Sequence, residues 1–134
     1  MNTKIWKYCN IYDSEIGDNC NIGSYTEISG AKIGNNVRIG AFTFICKMVT
    51  IEDNVFIGPR VTFLHDKYPP SHGVHWKEIV VKEGAVIGGG AIILPGVMIG
   101  RNALIGAGSI VTKDVPDNVT VIGNPARIME LKEN

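Results

Sequence analysis

The sequence predicts an all-β chain wound as a parallel β-solenoid, and three observations predict it. Aliphatic or aromatic residues recur at every sixth position, at Ile33, Ile39, Ile45, Ile51, Ile57 and Phe63. The same phase resumes at Val81 and continues through Ile87, Ile93, Ile99, Ile105 and Val111. The fifth position of each six-residue unit is small: Val37, Thr43, Val49, Val55 and Val61, then Ala85, Ala91, Val97, Ala103, Ser109 and Val115. A helix drifts out of phase with a period of six within two turns, because 3.6 does not divide it. A conventional strand alternates every two residues along its whole length, and this chain does not. A six-residue unit therefore reads as one short strand and a turn, with the large residue inward and the small one at a corner. Three units close one triangular coil, and stacked coils bury one another's aliphatic residues as a ladder.

Taken in order, Ile5 to Ile11 begins a capping coil, and Ile16, Ile22 and Ile28 carry the pattern with Cys20 and Thr26 in the small slot. The step from Ile28 to Ile33 is five, so that coil is one residue short. Residues 33–50, 51–68, 81–98 and 99–116 make four further coils, about six in all within one domain spanning residues 1–134. Gly34, Gly40, Gly58, Gly88, Gly100 and Gly106 each follow an inward aliphatic residue. Near the end, Asn124-Pro125 reads as an N-cap with proline at the first helical position, which predicts a short helix over about 125–132.

Composition excludes several classes. Thirteen basic residues balance 13 acidic ones, so no basic field points to nucleic acid or to an anionic membrane. The longest apolar stretch, around residues 91–99, is broken by Pro95 and Gly96 and falls short of the ~20 residues a spanning helix needs. The first seven residues lack the apolar core of a signal peptide, so a cytoplasmic location is expected. Cys9, Cys20 and Cys46 are odd in number and have no zinc-like pairing, so they read as reduced structural cysteines.

The repeat is interrupted from about residue 65 to about 80, a stretch opening His65-Asp66-Lys67-Tyr68-Pro69-Pro70-Ser71-His72. Pro-Pro and His-Gly argue for a loop excursion rather than a coil face. All three histidines, His65, His72 and His75, lie in it, as does Trp76. A regular solenoid leaves function to such an excursion. No cysteine accompanies the histidines, and no metal site is expected. His65 is the candidate general base because it directly follows the Phe63-Leu64 step, anchored by the coil beneath. Imidazole, with an ordinary pKa of about 6.5, is neutral yet basic at working pH. Asp66 is the candidate to fix its tautomer.

The repeat, with the run Ile105-Gly106-Ala107-Gly108-Ser109-Ile110-Val111-Thr112-Lys113-Asp114-Val115-Pro116 and with Gly123-Asn124-Pro125-Ala126-Arg127, resembles the hexapeptide acyltransferases. The resemblance spans nearly the whole chain. It implies a left-handed parallel β-helix, acetyl-CoA as acyl donor, and a homotrimer with active sites at the subunit interfaces. It also implies a coenzyme groove formed by Gly89, Ala107 and Gly108, with Lys113 and Arg127 on the phosphates. Asp53-Asn54-Val55-Phe56-Ile57-Gly58-Pro59, then Val61-Thr62-Phe63 and Asp66-Lys67-Tyr68-Pro69, resemble the nucleotide-sugar 3-N-acetyltransferases. That resemblance implies a nucleotide-linked 3-amino-3,6-dideoxyhexose as acceptor, with Lys67, Tyr68, His72 and Trp76 on the substrate side. The usual run there is Phe-Thr-Asn-Asp-x-x-Pro-Arg. Here Leu64 stands for the Thr, His65 for the Asn and Pro70 for the Arg.

The His-Asp pair instead resembles sugar O-acetyltransferases, in which a histidine of this region is the base. Two enzyme readings therefore stand: transfer to an amino sugar, and O-acetylation with His65 as general base. A third class is a non-catalytic scaffold. Thr43, Thr50 and Thr62 make no regular ladder of the kind an ice-binding face needs, and a scaffold has no use for a histidine-rich loop.

Overall fold

The computed structural model describes residues 2–129, and every regular element within them is a short strand. Strands Lys4–Ile5, Asn21–Ile22, Arg38–Ile39, Phe56–Ile57, Val86–Ile87, Leu104–Ile105 and Thr120–Gly123 pair in parallel as a first face. Asn10–Tyr12, Glu27–Ser29, Phe44–Ile45, Thr62–Phe63, Ile92–Ile93 and Ile110–Val111 form the second. Glu15–Ile16, Lys32–Ile33, Val49–Ile51, Ile79–Val81 and Met98–Ile99 form the third, extended by the Ile99–Val115 bridge. The result is a left-handed parallel β-helix of about seven turns, so the expected six is one too few. The first-face strand Thr120–Gly123 begins the extra turn. There Ile105 pairs with Val121, a shorter step along the chain than the one from Ile87 to Ile105.

The packing follows from the period. Ile39, Ile57, Ile87 and Ile105 are consecutive rungs of one ladder, all buried. Each buried isoleucine contributes about 1.5–3 kcal/mol by leaving water. The small slots form the inner corners, and the polar ones are satisfied: the Thr43 hydroxyl donates to the Gly40 carbonyl at 2.9 Å. The glycines after the aliphatic residues permit close stacking. A Cβ on Gly58 would lie 2.6 Å from the Gly89 amide nitrogen, and one on Gly88 would lie 2.6 Å from that of Ala107.

The loop enters between the second and third faces. Phe63 and Val81 are consecutive inward residues of one coil, although a whole coil's length of chain separates them where a single unit suffices. The excursion covers 64–78, because Ile79 already pairs with Val49 in the third face, slightly earlier than expected.

The expected C-terminal helix is overturned where it is described. Ala126–Ile128 is a strand, antiparallel to Thr120–Gly123, with Ile122 opposite Arg127. The last first-face strand has backbone groups that no further coil pairs, and the returning strand supplies their partners. The remainder of the expected helix, 130–132, lies outside the described residues.

Candidate active site

The three corners differ in chemistry. At the third corner, between the third and first faces, the left-handed turn residue is asparagine at Asn19, Asn36, Asn54, Asn102 and Asn118. Asparagine tolerates that conformation through its short polar side chain. Side chains there also bridge coils, as when the Asp53 carboxylate accepts from the Asn35 amide at 2.7 Å. The second corner carries the loop, and chemistry concentrates on it.

The loop closes on itself as a short antiparallel ladder. The Lys77 amide donates to the His65 carbonyl at 2.8 Å, and the Lys67 amide to the His75 carbonyl at 3.0 Å, flanking an Asp66–Trp76 bridge. The His65 ring stands edge-on to Trp76, with centroids 4.4 Å apart and an interplanar angle of 86°. His65 is half-buried at the rim of an apolar hollow of about 160 Å³ lined by Phe44, Phe63, Leu64 and Pro69. Phe63, fully buried, ties this rim to the core.

Asp66 accepts from the Ser71 hydroxyl at 2.5 Å, the Ser71 amide at 2.8 Å and the Tyr68 amide at 3.3 Å. Desolvation acts to raise its pKa, but the bonds from Ser71, Tyr68 and the Trp76 side chain outweigh it and hold the carboxyl below its usual value. Its carboxylate thus organises the loop, and none of these bonds goes to the His65 ring. Ser71 was not legible as a partner, since a residue five positions along an irregular turn leaves no periodic signal.

On the other side of the loop, Lys67, Tyr68, His75 and Lys77 face the next corners across a cleft of about 360 Å³, whose far wall includes Thr112 and Lys113. Tyr68 and His75 meet edge to face at 5.2 Å. The one carboxylate lining the cleft, Asp114, is engaged by the Met98 amide at 2.8 Å. The structure therefore brings Lys67 and Tyr68 together with Lys113, and it adds Lys77 and His75. His72 lies apart, exposed in the left-handed conformation near the loop tip, and Trp76 is half-buried against His65.

The residues assigned to the coenzyme fall into two groups. Lys113 and Arg127 share a cavity of about 320 Å³ at the open end of the prism. Gly89, Ala107 and Gly108 sit at the first corner, between the first and second faces, where the Gly108 amide donates to the Gly89 carbonyl at 2.9 Å. A side chain on Gly108 would meet nothing within 4 Å, so the backbone there is open to a ligand. The two groups occupy different corners of one prism. Among the described residues, no group of three or more His, Cys, Asp or Glu side chains is placed to hold a metal ion.

Comparison with known proteins fits this picture. The family described as "Bacterial transferase hexapeptide (six repeats)" matches residues 13–47, 30–65 and 78–113, more than half of the chain. Galactoside O-acetyltransferase of Lactococcus lactis is 40% identical over 86 residues, 60% of this chain and 42% of that protein. The dTDP-3-amino-3,6-dideoxy-alpha-D-galactopyranose 3-N-acetyltransferase of Aneurinibacillus thermoaerophilus is 53% identical over 49 residues, 37% of this chain and 26% of its own. The chain thus spans less than half the length of these relatives. Among solved structures, an N-acyltransferase from Bacillus cereus, in complex with dTDP-4-amino-4,6-dideoxyglucose and coenzyme A, overlays with a TM-score of 0.87. Its sequence identity is 24%, covering 99% of this chain and 82% of that one, a likeness of fold. A perosamine N-acetyltransferase from Caulobacter crescentus, in complex with CoA and GDP-perosamine, overlays with a TM-score of 0.84 at 25% identity, covering 96% of this chain and 56% of its own. Repeat, stacked coils, interrupting loop and matched family residues agree: the chain belongs to the bacterial transferase hexapeptide family.

Proposed function

We infer that this chain is an acetyl-CoA-dependent N-acetyltransferase acting on a nucleotide-linked amino sugar of the 3-amino-3,6-dideoxyhexose type, for surface glycan biosynthesis. The observation that carries the reading is the loop, which presents His65 on one side and a lysine-lined cleft on the other. Both proposed substrates carry phosphates, and Lys67, Lys77 and Lys113 offer charge to them. The short stretch shared with the 3-N-acetyltransferase supports the acceptor class.

In the reaction, the acceptor nitrogen attacks the thioester carbonyl, a C–N bond forms, the C–S bond breaks and coenzyme A leaves as the thiolate. His65 takes the proton that the nitrogen loses. The open backbone of Gly89, Ala107 and Gly108 accommodates the pantetheine arm, and Lys113 and Arg127 meet the phosphates. An extended ligand along one corner reaches both groups only if the first corner of one prism abuts the second corner of another. That head-to-tail contact, repeated about an axis, closes a ring, and a homotrimer with shared sites satisfies it.

A second reading, O-acetylation of a sugar, is favoured by the histidine itself and by the longer match to galactoside O-acetyltransferases. An alcohol needs a base in the transition state, typically worth 10²–10⁴-fold, whereas a neutral amine attacks with less help. Thiol release from acetyl-CoA is therefore measured with nucleotide-linked amino sugars, their hydroxyl counterparts and free disaccharides. Turnover of the amines, with a modest loss in His65→Ala, is the expected result. Turnover of hydroxyl acceptors alone, abolished in His65→Ala, replaces it with O-transfer. Absence of both turnover and coenzyme binding leaves the scaffold.

A further inference from the structure

The first corner changes character along the prism. Its left-handed turn residue is Tyr8, Tyr25, Phe42 and Arg60 in the first four coils, then Gly90 and Gly108. Large side chains rarely adopt positive φ, which costs roughly 1–2 kcal/mol per residue. Four such residues in one column mark a place where the side chains themselves matter. The rings stack at 5.1 Å and 5.2 Å, and the Arg60 guanidinium lies 4.8 Å from the Phe42 centroid as the last rung. Among the described residues Arg60 has no ion-pair partner. Beyond it, the corner is floored by Gly89, Gly90, Ala107 and Gly108, and a side chain on Gly90 would meet nothing closer than 3.9 Å.

We propose that Arg60, its guanidinium held over the Phe42 ring, recognises the phosphate of the acceptor and selects a nucleoside-diphosphate-linked sugar over a neutral glycoside. The inference rests on the reading of the chain as a nucleotide-sugar acetyltransferase and deepens it. Level along the axis assigns the two phosphate groups to different cations. The donor's phosphates belong with Lys113 and Arg127 at the open end, so its thioester points back toward the coil that bears both His65 and Arg60. A cation in that coil sits two coils below the one that bears Lys113, and on the first corner, so it meets the acceptor instead. A diphosphate ester supplies an anion for the guanidinium fork. A free disaccharide supplies none.

The test is calorimetric titration of the full chain with coenzyme A, and then, in its presence, with dTDP, UDP and GDP. Wild type, Arg60→Asn and Arg60→Lys are compared, with a thermal melt of each. Asparagine suits the left-handed turn, so Arg60→Asn removes the charge without straining the coil. We expect wild type to bind a nucleoside diphosphate, Arg60→Asn to weaken it roughly tenfold or more, and Arg60→Lys to recover part of the loss. Coenzyme A affinity stays the same in all three, and added salt weakens diphosphate binding more in wild type than in Arg60→Asn. Unchanged diphosphate affinity in Arg60→Asn, or a loss confined to coenzyme A, overturns the role of Arg60 and leaves the nucleotide-sugar reading intact. A wild type that binds coenzyme A and acetylates free sugars, but binds no nucleoside diphosphate, overturns both.

Discussion

Asp66 and Ser71 carry the order of the loop, and their chemistry predicts its response to acid. The Asp66 pKa is lowered in the folded chain, so its bonds add stability above the unfolded-state value, and that contribution is lost as pH falls through the folded value. Protection of the Lys67 and Lys77 amides, taken relative to the intrinsic exchange rate at each pH, should therefore hold at neutral pH and fall only below the ordinary carboxylate range. Asp66→Asn should speed exchange at neutral pH and converge with wild type once the carboxyl is protonated, and Ser71→Ala should speed it at neutral pH to a lesser degree, with little change in global melting. Equal exchange in wild type and Asp66→Asn at neutral pH would remove the carboxylate from this role. Cysteine makes a second residue-scale case. Burial pushes the Cys46 thiol up to about 11, against a small lowering from its own backbone hydrogen bond. Cys46 should therefore resist alkylation at neutral pH until the chain unfolds, as should buried Cys20 on grounds of access, while half-buried Cys9 reacts first. The location of His65 was legible from the phase that ends at Phe63. The bonding of Asp66 was not, because an irregular turn brings Ser71 back to it.

A coil tolerates change according to what lies on the next one. Gly58→Ala places a methyl 2.6 Å from the Gly89 nitrogen, so denaturant unfolding should show a loss of about 1–3 kcal/mol. Ile87→Ala, fully buried between the rungs Ile57 and Ile105, should cost about 2–5 kcal/mol. Gly58→Ala as stable as wild type would mean that the coils separate more easily than their spacing implies. The expected terminal helix failed at this same scale. Asn124-Pro125 carries a genuine helix-start signal, but local preference is weak beside an unpaired strand edge. The Met129 amide donating to the Thr120 carbonyl at 2.8 Å shows the edge being closed by strand pairing instead.

At the scale of the whole molecule, the separation of Ala107 and Lys113 onto different corners predicts an assembly. Light scattering on the eluted peak should give three times the 14.5 kDa chain mass. Ala107→Glu and Lys113→Glu should each abolish coenzyme binding when homogeneous. Mixed trimers refolded from the two should regain part of it, because one interface in some assemblies pairs two intact corners. Failure of mixing to restore any binding, with trimers formed, would place the whole coenzyme site on one chain.

The six-residue period by itself determined the solenoid, its inward rungs and the coil that bears the loop. Burying one large residue per unit is a local requirement repeated along the chain, and it shows in Ile33 through Phe63 without any knowledge of contacts. Tertiary structure alone decided what meets across coils: Lys67 and Lys77 with Lys113, Arg60 on Phe42, and the closing strand at Ala126–Ile128. Those encounters depend on corner lengths, which differ from turn to turn. The turn from Ile57 to Ile87 is far longer than those from Ile22 to Ile39 and from Ile39 to Ile57, and the one from Ile105 to Val121 is the shortest of the four. They depend too on backbone groups seeking partners at the open end, and neither leaves a period in the sequence.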